Sequence, residues 1–399
     1  MDPDLRPAHE RARRHSRATL WALVAFFVLV AFTIIVRRGP GERRLIGHPI
    51  AIVGVTVFDG ARFVEDRTVV VRGDTITRVE PAYQIDLEQG TEIIEGRDRT
   101  LLPGFIDAHV HLGLTDPRAV LEGGVTIARD LGWPLERVQE LAGTLGAERG
   151  AGPFLLFAGP MLTAPGGYPA RAAWAPEGSA LEIADAEQAR AAVNRLADDG
   201  VWVIKVALDP RAGPTLDDAT LRALVEAARE RDREVTCHCA TVAELERALD
   251  AGIAELAHGL WDDATIPNPL IDRMVDTGLT LVPTLHVGPS RARIDNVLRF
   301  AAAGGRVVYG TDMGNDPASH GIDVDELRLM RRAGMTLEDV LAAATSVPAR
   351  TYALPGGLIE PDAHANLVLV AGDPRLSLDV LGNPLLVMRS GQIVHHEPG

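Results

Sequence analysis

The sequence predicts an α/β protein built on a (β/α)8, or TIM, barrel. To this it adds a small β-sandwich assembled from both chain ends and an N-terminal transmembrane helix. Three observations carry that reading. Apolar runs of strand length alternate with helix-patterned stretches across residues 101–352, as in a parallel βα architecture. Short β-rich runs separated by glycine fill residues 48–100 and return in 353–399. The run LWALVAFFVLVAFTIIV at residues 20–36 carries no charge.

Taken in order, residues 1–19 form a basic tail and 20–36 the membrane segment, roughly 25 Å long as a helix and just enough to span a hydrocarbon core. A cleaved signal is the rival, but Arg37-Arg38-Gly39-Pro40 follows in place of a small-x-small site. The arginines flanking the segment nearly balance. A short N-terminal tail ordinarily stays inside, so a single-pass, membrane-anchored protein with an extracytoplasmic body is expected. Residues 37–47 read as a linker. Strand-like runs at Ala51–Phe58, Thr68–Val71, Thr75–Val79 and Thr91–Ile94 join Ala365–Val370, Pro384–Arg389 and Gln392–His395 in the sandwich. The eight barrel strands are expected at Phe105–Val110, Thr126–Asp130, Phe154–Ala158, Val201–Ala207, Glu234–Cys239, Glu255–His258, Thr280–Pro283 and Arg306–Thr311. Helical stretches such as Asp217–Arg231 and Ala243–Ala251 lie between them. Active sites of such barrels sit at the C-terminal strand ends.

The chain has 399 residues and a net charge of −15. Residues 1–44 carry nine arginines against four acids, leaving 31 basic residues against 51 acidic in the rest. A body so acidic repels phosphate backbones, which argues against nucleic acid as a partner. The two cysteines, Cys237 and Cys239, flank His238 on an expected strand, where their spacing is poor for a disulfide.

Lys205 is the only lysine, and every other cationic side chain is arginine. A desolvated amine can lose its proton, as guanidinium cannot, and can then add carbon dioxide to form an anionic carbamate. The plain alternative is a buried lysine paired with a carboxylate. Lys205 lies near the end of an apolar strand, and the other chemistry-bearing residues fall at strand ends too. These are His109 and His111 after the first strand, His238 after the fifth, His258 after the sixth and Asp312 after the eighth. Spacing of two on an extended segment sends His109 and His111 to one side, which suits joint chelation.

With Pro103–His111, Lys205, His238, His258 and Asp312 in place, residues 48–395 resemble the amidohydrolase superfamily, and Ala344–Arg350 and Gly372-Asp373-Pro374 fit the same pattern. The resemblance implies two divalent ions, most simply zinc, held by His109, His111, His238 and His258. Carboxylated Lys205 would bridge them, and Asp312 would bind metal and shuttle protons. Lys205 lies 33 positions before His238 and His238 lies 20 before His258. That spacing is similar to the Xaa-Pro dipeptidase and imidazolonepropionase-like branch. Where dipeptidase-like proteins often read Gly-Gly-His, this chain has Gly166-Gly167-Tyr168. The expected activity is hydrolysis of an amide or peptide-like C–N bond in a dipeptide or N-acyl amino acid, with Tyr168, Arg171, Arg211, His286, Arg291 and Arg293 in strand-end loops as substrate contacts. The rivals are a lactone or organophosphate ester hydrolase on the same centre, and a non-catalytic membrane-tethered binding protein.

Overall fold

The computed structural model describes residues 48–397. The expected membrane segment lies outside them; among the described residues no helix is long and apolar enough to cross a membrane. The described residues begin with β1 (Ile50–Phe58), β2 (Phe63–Arg72), β3 (Thr75–Pro81), β4 (Glu92–Glu95) and β5 (Arg99–Pro103). Their valine and isoleucine content suits pleated, half-buried surfaces.

Next come β6 (Phe105–Val110), β7 (Val125–Asp130), β8 (Phe154–Phe157), β9 (Met161–Thr163), β10 (Ala180–Glu182) and β11 (Val203–Leu208). The run ends with β12 (Glu234–Cys239), β13 (Glu255–Leu256), β14 (Thr280–Leu281) and β15 (Arg306–Val307). Every residue of β6, β7 and β11 is buried, as strands covered on both faces must be. They form two parallel sheets, β6-β7-β8 and β10-β9-β11-β12-β13-β14-β15. Backbone hydrogen bonds join the two. Trp202, ahead of β11, donates to Phe157 of β8 at 2.8 Å, and Ala108 of β6 donates to Tyr309 at 3.1 Å. Val110 also bridges to Met313. The parallel α/β expectation holds, carried by two sheets with β9 and β10 as additions.

Helices at Ala186–Asp198, Asp218–Glu230, Val242–Ala251, Arg291–Ala302 and Val324–Arg332 start where a side chain takes an orphan N–H. The N-caps Asp185, Asp217, Thr241, Ser290 and Asp323 each accept from the third helical residue. The chain closes with β16 (Leu367–Ala371), β17 (Pro384–Arg389) and β18 (Gln392–His396). These join the N-terminal strands in one eight-stranded sheet, β18-β17-β16-β5-β1-β2-β3, with β4 on β1. Both chain ends therefore build it, and Ile52, Val57, Leu101, Leu367 and Leu386 give it an apolar core of its own.

Candidate active site

His109 is the fifth residue of β6 and His111 follows the strand, and both are buried. His109 Nδ1 donates to the carbonyl of Ala257 at 2.7 Å, and His111 Nδ1 faces the carbonyl of Gly132 at 3.3 Å. A carbonyl only accepts, so each Nδ1 carries a hydrogen and each Nε2 is left to ligate. Both Nε2 atoms turn to Asp312 Oδ1, at 3.4 Å from His109 and 3.0 Å from His111. Burial, with Lys205 nearby, pushes the His109 pKa well below the ordinary value. Burial also works against a charged His111, but Asp312 outweighs it and raises that pKa.

The last strand region is fitted against β6. Gly310 permits this, because a Cβ there would clash with Val282 and stand 3.1 Å from His109. Asp107 accepts from the His109 and Thr311 amides at 3.0 and 3.1 Å and from the Thr311 hydroxyl at 2.6 Å. Asp312 has a φ of +58° and Thr284 a φ of +42°, a region that disfavours L side chains, above all a β-branched one. Thr284 Oγ1 lies 2.9 Å from His258 Nδ1. Both of these residues turn their side chains to the histidines. Burial would raise the Asp312 pKa, yet His109, His111 and Lys205 hold it well below the usual carboxylate range.

Lys205, third in β11, is fully buried. Its Nζ has no hydrogen-bond partner among the described residues, so the paired-lysine alternative is not what the chain builds. Burial lowers its pKa to about 8. The His238 ring of β12 is stacked with Tyr168 at 4.8 Å and with Trp261 at 6.2 Å between ring centroids. The His258 and His109 rings lie 4.4 Å apart. Five of the six predicted ligands thus have direct contacts within one histidine–aspartate cluster, and Lys205 acts on its charges from β11.

The predicted substrate contacts divide. Tyr168 lines a cavity of about 190 Å³ with Met161, Trp261, Asn315, His111, His238, His258 and Asp312, and Trp174 donates to its hydroxyl at 3.2 Å. His286 turns away, its Nδ1 2.8 Å from Asp323. Arg293 is buried, hydrogen-bonded to the carbonyls of Pro283, Thr284 and Gly288 and stacked on Trp261 at 4.4 Å. Arg211 is paired with Asp209. Arg171 and Arg291 are exposed.

Sequence reasoning missed Asp209, Trp174, Trp261 and Asn315. Asp209 Oδ2 lies 3.5 Å from His238 Nε2. Burial opposes its ionisation, but His238 and Arg211 hold it well below the usual carboxylate range. Its signal was its place four residues after Lys205, just past β11. Asn315 donates to Asp312 Oδ1 at 3.0 Å.

The donor set fits a metal ion. Ligand atoms of His109, His111 and Asp312 all lie within 4.8 Å of one another, and among the described residues His109 Nε2 and Lys205 Nζ are buried without a hydrogen-bond partner. Parallel βα units thus carry at their strand ends a histidine–aspartate cluster that could hold a metal ion. The chain belongs to the amidohydrolase family, whose pattern matches residues 100–394, and is a hydrolase acting on C–N bonds. It is 29% identical over 364 residues to an uncharacterized protein of Mycobacterium tuberculosis, covering 78% of this chain and 92% of that one. An Xaa-Pro dipeptidase with methionine bound in its active site has the same fold. Its TM-score is 0.76 at 21% identity, over 86% of this chain and 99% of that one. So does a prolidase complexed with N-methylphosphonate-L-proline, with a TM-score of 0.74 at 22% identity over 88% of this chain and 100% of that one.

Proposed function

We propose that this protein is a metal-dependent amidohydrolase cleaving an amide or peptide-like C–N bond of a small substrate, a dipeptide or N-acyl amino acid. The observation that carries the reading is the fully buried Lys205 Nζ, without a hydrogen-bond partner among the described residues, whose charge acts on four histidines and Asp312. An isolated buried ammonium is costly. As a neutral amine, Nζ can attack carbon dioxide and lose a proton, giving an anionic carbamate. His109, His111, His238, His258, carboxylated Lys205 and Asp312 would then hold two divalent ions, zinc being suited to this nitrogen-rich set. When bound, such ions polarise the scissile carbonyl and lower the pKa of water.

The chain's own residues handle the proton. Asp312 Oδ1 is engaged by His111 and Asn315, which leaves Oδ2 to take a proton from the attacking water and return it to the leaving nitrogen. Tyr168 and Trp261 wall the cavity and limit water. The dipeptidase and prolidase named among the structural neighbours support a peptide-like substrate.

The same reading takes the two parallel sheets as one (β/α)8 barrel of residues 101–352, supported by the hydrogen bonds joining β8 to β11 and β6 to Tyr309. It takes 48–100 and 353–399 as a sandwich domain and 20–36 as the anchor of an extracytoplasmic body. Metal analysis of protein beginning at Leu45, paired with a screen of dipeptides and N-acyl amino acids, tests the function. Hydrolysis confined to lactones or phosphotriesters overturns it.

A further inference from the structure

The strand carrying Lys205 runs on into Asp209-Pro210-Arg211, and this short segment is built around its neighbour's histidine. Leu208 pairs with Cys239, and Ala240 donates to Leu208 at 3.0 Å, so Asp209 emerges beside the end of β12. Asp209 is 5% exposed, and its carboxylate accepts three hydrogen bonds, all from Arg211. Oδ1 accepts from the Arg211 amide and Nε, both at 3.0 Å, and Oδ2 from an Arg211 terminal nitrogen at 2.9 Å. The remaining Arg211 nitrogen reaches the carbonyl of Trp261 at 2.7 Å. Trp261 itself donates to Ala240 at 3.0 Å and stacks its ring against His238. One fork thus ties the loops after β11 and β13 around a single imidazole, whose Nε2 edge faces Asp209 at 3.5 Å.

An ionised carboxylate can only accept, so the ring atom facing it is the one that carries a hydrogen. We propose that Asp209, held by Arg211, is a positioning residue that keeps His238 in its Nε2–H tautomer and directs Nδ1 to the cation expected at this centre. His109 and His111 are set the opposite way round, with Nδ1–H on backbone carbonyls and Nε2 as the ligating atom. The chain therefore orients its histidines by two devices, backbone carbonyls on the β6 side and a buried ion pair on the β12 side. Carboxylate partners of ligating histidines typically change metal affinity by about 10- to 100-fold.

The inference rests on the two-ion reading above, and its test separates the two. In metal-free protein labelled with ¹⁵N-histidine, two-bond ¹H–¹⁵N correlations report the tautomer of each ring. Wild type is expected to show His238 protonated at Nε2, and Asp209→Ala a shift towards the Nδ1–H form. An Nδ1–H tautomer for His238 in wild type overturns the proposal, whatever metal the protein binds. In stepwise cobalt titration followed by visible absorption, Asp209→Ala should weaken the ion held by His238 and His258 by about 10- to 100-fold. The ion held by His109 and His111 should be unaffected. Asp209→Asn, which still offers an accepting oxygen, should recover part of the loss, and Arg211→Gln should show a smaller loss of the same kind. Equal weakening of both ions, or none in Asp209→Ala, overturns the role assigned to Asp209. A wild type that takes up no second ion counts against the two-ion reading, while the tautomer measurement still decides this one.

Discussion

The backbone amide of Asp312 donates to the carbonyl of His109 at 2.8 Å, and their side chains approach to 3.4 Å between Oδ1 and Nε2. Position is thus imposed on Asp312 twice, by the backbone link and by its left-handed φ of +58°. Asparagine tolerates that φ and keeps an oxygen for metal, but cannot take water's proton. Asp312→Asn should retain near-normal metal content while hydrolysis falls by about 10²-fold or more. Elemental analysis and turnover on the same preparation check this, and unchanged turnover would assign the base elsewhere.

Lys205 makes a sharper demand. Only an amine can form the carbamate, so Lys205→Arg should lose nearly all activity and the bridged ion. Metal reconstitution of wild type in bicarbonate-free buffer should be poor and should improve on adding bicarbonate. Crystallographic density ending at Nζ in an active, fully metallated protein would refute carboxylation.

Much of this site was legible because ligand chemistry is local in sequence. The expected Glu234–Cys239 strand coincides with β12, and Phe105–Val110 with β6. Where expectation overran, the ligands themselves explain it. Glu255–His258 shortens to Glu255–Leu256 because the carbonyl of Ala257 is taken by His109. Thr280–Pro283 shortens to Thr280–Leu281 ahead of Thr284 with its positive φ. The arginines were not legible, because availability depends on loops far apart in the chain. Arg211 is committed to Asp209 and Trp261, and Arg293 to carbonyls beneath Trp261. Trp174 meets His111 only through the fold of its loop, with ring centroids 5.0 Å apart.

Stability should carry a signature of Glu326, which is fully buried and accepts the His286 amide at 2.7 Å through Oε2. Its Oε1 has no hydrogen-bond partner among the described residues, and burial pushes its pKa up to about 8. The unfolded chain loses this proton near pH 4.3. Between these values the folded state binds more protons than the unfolded one, so stability falls as pH rises. The slope is at most about 1.4 kcal/mol per pH unit. Glu326→Gln removes it while keeping an accepting oxygen. Wild type should therefore lose Tm relative to the variant between pH 5 and 8, and parallel profiles would place the titration elsewhere.

The membrane assignment is tested by fractionation. Full-length protein should stay with carbonate-washed membranes, whereas protein beginning at Leu45 should not. A mature N-terminus beyond Val36 would instead establish a cleaved signal.

Substrate preference separates the arginines by what each already holds. Arg211 is committed to Asp209, and Arg293 to backbone carbonyls and the Trp261 ring. Arg171 is exposed in the loop of Tyr168, with a terminal nitrogen 3.4 Å from where a Cβ on Gly166 would stand. An arginine gripping a terminal carboxylate contributes about 1.5–3 kcal/mol, a preference of roughly tenfold to a hundredfold for free over blocked substrates. We expect N-acyl amino acids or dipeptides to outcompete their methyl esters and amides by that margin. Arg171→Ala should erase the preference by slowing free substrates alone. Arg211→Ala, acting through Asp209, should slow free and blocked substrates alike. If Arg171→Ala leaves the ratio of kcat/KM values unchanged, the carboxylate is held elsewhere, with exposed Arg291 the next to substitute. Equal wild-type rates on free and blocked substrates would mean that the aromatic cavity selects by shape alone.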